Sequence, residues 1–331
     1  MTVETFAVDD GTLSLERRDA RVAEISAIEV REDRRRHGVG RSLVCEAEAW
    51  CAANGVEFIQ AKTSDDGAKA FFAALGFVAL DAHLVKHVQR GFSVFPVHGI
   101  PELREGDDLA ALIVDRVDLQ DGDIVVVAQK AISKIEGRVV RVDDVEPSER
   151  AREIAGEEGD PRRIEWILRE SARVVRVREP LVICQTKHGF ICASAGVDRS
   201  NTPEPGTLVL LPVDPDGSAV QLRETLRERT GRAVGVLVTD SFGRPWRQGT
   251  TDVAIGASGI EVLRELSGVR DPIGYELKAT VIAVADELAG AAQLVTGKLD
   301  RIPVSIVRGL DLRGDGRATE IPIPPERDLF G

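Results

Sequence analysis

The chain has four cysteines in 331 residues, Cys45, Cys51, Cys184 and Cys192, and no CxxC spacing. Neither a disulfide framework nor a zinc knuckle is therefore expected. No apolar run approaches the length of a membrane span. The opening MTVETFAVDDGTLSLE lacks a basic segment followed by an apolar one, so a cytoplasmic protein without membrane attachment is expected. Basic residues are outnumbered, 43 against 55 acidic ones, and the net charge of −12 is spread along the chain. That balance disfavours nucleic acid as a partner. Only 8 of the basic residues are lysines, so each can be weighed singly. A GxxxxGK[ST] loop is missing, and any nucleotide must be held by other means.

What remains is a globular composition, 43% hydrophobic and 30% charged, with length enough for two domains. Elements of both kinds follow one another, which predicts a mixed α/β fold. Phe6–Val8 and Leu13–Leu15 read as strands about an Asp9-Asp10-Gly11 turn, and Val22–Val30 alternates as a half-buried strand does. Arg35-x-x-Gly38-x-Gly40 then leads into a helix that runs to about Asn54. Glycines ahead of a helix N-terminus let the backbone approach a pyrophosphate and offer it N–H donors. Val56–Ala61, Phe77–Leu80 and Leu84–Val88 are further strands, with a helix over Ala68–Leu75. A boundary is expected near Gln89-Arg90-Gly91, dividing the chain into 1–89 and 90–331.

The larger part is organised around Ala233–Gly249, AVGVLVTDSFGRPWRQG. Its apolar run reads as a strand buried on both faces, ending on Asp240. Ser241, Gly243, Arg244, Trp246 and Arg247 follow, where the loops of an α/β sheet present ligand-binding groups. A carboxylate, a hydroxyl and two arginines there suit a metal ion and an anionic substrate; an Asx turn with solvated arginines is the plainer alternative. Ile124–Ala128 is a second buried strand, running on through Gln129-Lys130 to Lys134. Two lysines beyond a buried strand suit phosphate as point charges, or stand solvated. Leu181–Cys184 and Phe190–Ala193 flank Lys187-His188-Gly189 as a hairpin, with His188 expected exposed at its tip. The second strand then reaches Asp198, a second carboxylate at a strand end, with Asn201 three residues on. Asp198 and Asp240 together fit one divalent cation bound by oxygens. Leu277–Ala285 is expected as a strand, Asp286–Val295 as a helix capped by Asp286, and Ile302–Val307 as the last core strand.

Residues 20–88, with RxxGxG and AFFAALGF, resemble the GNAT-type acetyl-CoA-dependent N-acetyltransferases. By that resemblance a truncated domain is expected: about twenty residues precede Val22, where members carry a strand and two helices that build the acceptor site. Arg35, Gly38 and Gly40 would bind acetyl-CoA, and Glu29 is the best-placed base. The rest, through FPVHGIPEL, VVVAQKAISKIEGR, SAGVDRSN, VGVLVTDSFGRPWRQG, AIGASGI and IPVSIVRGL, closely resembles the coenzyme F420-0:L-glutamate ligase family over about 92–325. The resemblance implies a homodimeric α/β ligase joining L-glutamate to F420-0 at the expense of GTP. Magnesium or manganese and potassium ions take part, and a further γ-linked glutamate is often added.

On that resemblance Asp198 and Asp240 bind a metal and Ser241 a second one. GTP is held by Ile100-Pro101-Glu102-Leu103, Gln129-Lys130, Lys134, Asn201 and Thr296-Gly297-Lys298-Leu299-Asp300-Arg301-Ile302. Asp198, Asp240 and Lys134 are the catalytic candidates. Charge alone suggests Arg244 and Arg247 for substrate carboxylates or the F420-0 phosphodiester. Lys298 departs from the family, which often carries Gln or Glu there as a ligand of the second metal. A protonated ammonium cannot ligate a cation, so contact with nucleotide phosphate is expected of Lys298, or solvation in a mobile turn. The alternatives in function are an acetyltransferase with the larger part as scaffold, and a non-catalytic nucleotide-binding partner in F420 synthesis.

Overall fold

The computed structural model describes residues 3–328 except 9, 81, 89, 90 and 272. Asp9 of the expected first turn, and Gln89 and Arg90 of the expected boundary, lie outside the described residues. The chain forms two compact units, Met1–Gly91 and Phe92–Gly331.

The first unit contains β1 (Val3–Val8), β2 (Gly11–Arg17), β3 (Val22–Val30), α1 (Val39–Ala53), β4 (Phe58–Ala61), α2 (Asp66–Ala74), β5 (Val78–Leu80) and β6 (His83–His87). They make one sheet in the order β1-β2-β3-β4-β6-β5, with β3 and β4 parallel. Leu13, Leu15, Ala23 and Ile25 alternate onto its inner face and meet Leu43, Ala47 and Cys51 of α1, spaced four apart on one helix face. The β3–β4 ladder runs only from Val22–Phe58 to Ile25–Ala61. Beyond Ile25, β3 carries on to Val30 paired with β2 alone among the described strands.

The second unit opens with β7 (Ser93–Pro96), α3 (Leu109–Val114), β8 (Ile124–Ala128), α4 (Gln129–Ile135) and β9 (Val139–Arg141). Next come α5 (Glu149–Ala155), α6 (Pro161–Glu170), β10 (Ser171–Arg178), β11 (Leu181–Thr186), β12 (Ile191–Ala193), β13 (Thr207–Val209) and α7 (Pro215–Thr230). It closes with β14 (Gly235–Arg244), β15 (Arg247–Ser258), β16 (Arg264–Glu265), β17 (Val281–Ile282), α8 (Val284–Thr296) and β18 (Val304–Arg308). The central sheet has the order β15-β14-β8-β18-β7. β8 and β14 are its parallel pair, in register from Ile124–Gly235 to Ala128–Thr239. Their valine-rich runs are buried on both faces, as an interior parallel pair requires. α7 and α8 lay Ala219, Leu222, Leu226, Leu288, Ala289 and Ala292 into the same core.

Asp216 ties this packing together. Its carboxylate is 2% exposed and accepts from the backbone N–H of Ala257 at 2.8 Å, of Ala318 at 2.9 Å and of Thr319 at 3.3 Å, and from the Thr319 hydroxyl at 3.0 Å. One side chain in the first turn of α7 thereby joins β15 to the C-terminal segment.

Four expectations are corrected. Leu277–Ala285 is not a strand: only Val281 and Ile282 pair, and α8 begins at Val284. Leu266, Gly268 and Leu277 instead bond across a loop, Leu266 N–H to Thr280 O and Gly268 N–H to Leu277 O, which uses the same apolar residues without a ladder. Asp286 does not cap α8; Ala283 occupies that position, and Asp286 accepts from Ala254 N–H at 2.9 Å, pinning the helix to β15. Asp240 does not end a strand, because β14 continues to Arg244 and folds back on β15 through a tight turn. Asp198 ends no strand either. β12 stops at Ala193, a 3-10 turn over Ser194–Gly196 follows, and Asp198 forms an isolated bridge with Val209.

Candidate active site

The parallel pairing of β8 and β14 stops at Ala128 and Thr239. Beyond it β8 gives way to α4 and β14 runs on as a hairpin arm, so side chains from both leave the sheet at one place. A cavity of about 490 Å³ opens there, a usual size for a small-molecule site.

α4 supplies the cations. Lys130 and Lys134, four apart and so on one helix face, both line the cavity. Lys134 is 9% exposed and pairs with Glu102. Lys130 Nζ lies 2.6 Å from Asp198 Oδ2. Gln129 lines the cavity at 1% exposure; its Oε1 accepts from the Ser133 hydroxyl at 2.8 Å, while its buried Nε2 has no partner among the described residues. An unsatisfied buried amide is costly, of order 1–3 kcal/mol, and calls for an acceptor from a ligand or water.

Acidic groups share the lining. Asp240 and Ser241 of β14 reach the cavity, and so does Asp252 of β15, which faces Ser241 across the ladder. The Ser241 hydroxyl donates to Asp252 Oδ1 at 2.6 Å. Burial pushes the Asp240 carboxyl up to about 7, against the pull of Lys130 and with Asp198 and Asp252 adding repulsion. Burial also raises Asp252, opposed by the Ser241 bond and by the charges of Lys298 and Lys130. Asp198 moves the other way. Burial works against its charge, but the Lys130 bond and the Ser200 N–H hold it below the usual carboxylate range.

The remaining sides come from segments distant in sequence. Ile100, Pro101, Glu102 and Leu103 form one, and Asn201, held at φ 54°, with Thr202 another. Thr296, the last residue of α8, with Gly297, Lys298, Arg301 and Ile302 beyond it, closes the third. Leu299 and Asp300 of that expected run are not in the wall, and Leu299 is 86% exposed. Nor are Arg244 and Arg247, which face each other at the hairpin turn with Arg244 Nη2 bonded to Gln248 O. That turn carries them past the cavity, because β14 extends four residues beyond Asp240. His188 is half-buried rather than exposed, with Nε2 3.1 Å from Val213 O. Asp252, Gln293, Thr239 and Pro303 line the cavity without having been singled out from the sequence.

In the first unit, Gly38 takes φ 88° at the N-cap of α1, a left-handed conformation that favours glycine. A Cβ on Gly40 would stand 3.2 Å from the Phe71 ring, which would have to give by a few tenths of an ångström, so packing is one reason for glycine there. Arg35 is exposed, and its Nε lies 3.4 Å from Val30 O.

Residues 99–309 match the family model described as F420-0:Gamma-glutamyl ligase. The chain is 45% identical to the coenzyme F420:L-glutamate ligase of Archaeoglobus fulgidus over 72% of its own length and 95% of that protein. Against the enzyme of the same name from Methanopyrus kandleri the figures are 46%, 69% and 93%. The chain belongs to the F420-0:gamma-glutamyl ligase family. It is accordingly a ligase that forms a carbon–nitrogen bond. Residues 6–77 separately match the acetyltransferase (GNAT) family. A GNAT-family acetyltransferase structure from Staphylococcus aureus aligns over 24% of this chain and 60% of that one, at 20% identity and a TM-score of 0.22.

The ligase wall suits a hard cation in its chemistry. Among the described residues no three of His, Cys, Asp and Glu converge as a self-sufficient metal site would need. Asp240 and the Ser241 hydroxyl nonetheless supply a carboxylate and an extra oxygen of the kind with which magnesium is held, the balance coming from phosphate and water. Mutual repulsion among these acidic groups is what a cation would relieve.

Proposed function

We propose that the chain joins L-glutamate to coenzyme F420-0 as an amide, driven by GTP through an acyl phosphate, and that it can add a further γ-linked glutamate. The observation that carries this reading is the cavity itself. Lys130, Lys134, Lys298 and Arg301 share it with Asp240, Ser241 and Asp252, a composition suited to a polyphosphate with cations. The relatives named above are called coenzyme F420:L-glutamate ligases.

A carboxylate is a poor acyl donor, and phosphorylation converts it into one that an amine can attack. Catalysis of that transfer rests on positioning and on neutralising charge. The lysines of α4 neutralise phosphate oxygens as point charges, and the orphan Gln129 Nε2 donates to the nucleotide. Asp240 and Ser241 would hold magnesium or manganese, which supplies Lewis-acid stabilisation of the transferring phosphoryl group. Asp198, which does not itself line the cavity, keeps Lys130 in place and would contribute a carboxylate oxygen to the same cation. Lys298 takes part of the remaining phosphate charge. A homodimer and a potassium requirement belong to the same proposal. Mass spectrometry after incubation with F420-0, GTP, L-glutamate and manganese tests it: product heavier by one or more glutamyl units is expected, and unaltered F420-0 with unhydrolysed GTP would refute it.

The early end of the β3–β4 ladder favours a separate reading of the first unit, which we propose binds CoA. Among the described strands, β3 from Ser26 onward pairs on one edge only, with β2, and the Gly38 N-cap of α1 follows it in the chain; a free strand edge and a helix N-terminus can receive an amide-bearing chain and a pyrophosphate. Calorimetry with CoA is the test, with heat expected for the native chain and less for Arg35→Glu.

A further inference from the structure

Asp252 lies eleven residues beyond Ser241, outside every motif singled out from the sequence, yet three observations place it among the acidic groups of the cavity. The antiparallel ladder sets Ser241 and Asp252 directly opposite each other. Their side chains are joined, the Ser241 hydroxyl donating to Asp252 Oδ1 at 2.6 Å. The Asp252 backbone N–H donates to Gln293 Oε1 of α8 at 3.1 Å, and Gln293 itself lines the cavity.

A serine hydroxyl has one proton and two lone pairs. Left alone it rotates, and half of its useful orientations direct the proton at whatever the oxygen should bind. A carboxylate is acceptor only, so the bond to Asp252 commits the hydroxyl proton and leaves the oxygen's lone pairs for a group in the cavity. The bond from Asp252 N–H to Gln293 meanwhile holds β15 against α8, just ahead of the Thr296–Ile302 wall. We propose that Asp252 is a positioning residue of the ligase site, which acts by orienting Ser241 as an oxygen donor toward the cavity. This rests on the ligase reading given above.

The backbone bond to Gln293 survives any substitution at 252, so side-chain variants isolate the orienting role. The test is a double-mutant cycle on the full chain with GTP, F420-0, L-glutamate and manganese. Asp252→Ala and Ser241→Ala are each expected to lower kcat by about tenfold, a size typical of one lost charge-assisted hydrogen bond. The double variant is expected to be no worse than the poorer single one. Asp252→Asn, whose amide oxygen still accepts from Ser241, should stay within about threefold of wild type. Should Asp252→Ala fail to fold, Asp252→Val serves in the cycle, a strand-compatible side chain with no acceptor for the Ser241 hydroxyl. Losses that multiply to about a hundredfold in the double variant would overturn the proposal, as would unchanged kcat in Asp252→Ala. The rise in melting temperature with GTP and manganese gives a second cycle without turnover. If the native chain makes no product, the ligase reading fails, and non-additive shifts in this binding cycle still support the orienting role while additive ones refute it.

Discussion

Asp240 has the most perturbed environment in the cavity wall, and its chemistry depends on charge more than on shape. Asp240→Asn keeps the volume and removes the charge, so kcat should fall by roughly two to three orders of magnitude, as loss of transition-state charge stabilisation does. Steady-state kinetics at saturating manganese decides this, and near-normal kcat would refute the role. Lys298 lies in the wall close enough to influence Asp252. If it carries phosphate charge, Lys298→Gln should raise the KM for GTP about tenfold, the worth of one charge-assisted bond, and sharpen the dependence on manganese. A GTP titration at several manganese concentrations measures both. Asp286 offers a pH test away from the site. Burial raises its pKa against the stabilising Ala254 N–H bond. A carboxyl raised in the folded state costs no stability below its unfolded pKa; the penalty grows from there up to the folded value and is constant above it. Asp286→Asn keeps the acceptor and removes the charge, so its melting temperature should gain on wild type progressively from about pH 4 upward. A constant difference across that range would show that charge is not the cause.

At the scale of elements, Asp216 is the joint most exposed to failure. Its carboxylate serves three backbone N–H groups and one hydroxyl that belong to β15 and to the C-terminal segment. Asp216→Ala would leave those donors without a partner, some of them buried. A loss of about 2–4 kcal/mol is expected, read by calorimetry as a lower transition for the larger unit. The hairpin of β14 and β15 shows the same dependence on pairing. Its arm beyond Asp240 is polar and half-exposed, and reads in sequence as a loop. It is a strand because Ser241 to Arg244 find partners from Asp252 back to Arg247. Apolar periodicity marks strands that a core buries; it says little about strands that a ladder alone supports.

For the whole molecule, every wall of the ligase cavity comes from the second unit. A chain beginning at Phe92 should therefore fold and attach glutamate to F420-0 with kcat close to that of the full chain. A folded shortened protein with no ligase activity would show that the first unit is needed. The two halves differ in how openly they declared themselves. Arg35-x-x-Gly38-x-Gly40 is brief, and Gly40 also has a packing reason in Phe71. The ligase motifs are long, and their buried, valine-rich runs could be read almost residue by residue, though not where the strands end.

Sequence alone determined the alternation of strands and helices, the two buried strands of the parallel pair, and the candidates Lys130, Lys134, Asp240 and Ser241. Each of these depends on local chemistry: β-branched runs seek a core, and charges end them. Tertiary structure alone decided which distant residues share the cavity. Asp252 enters because a ladder register sets it opposite Ser241, and Gln293 because α8 packs on β15. Arg244 and Arg247 leave because the same ladder carries them past the cavity to the turn. Register and helix packing are fixed by burial summed over the whole core, so no single segment contains the information that brings those side chains together.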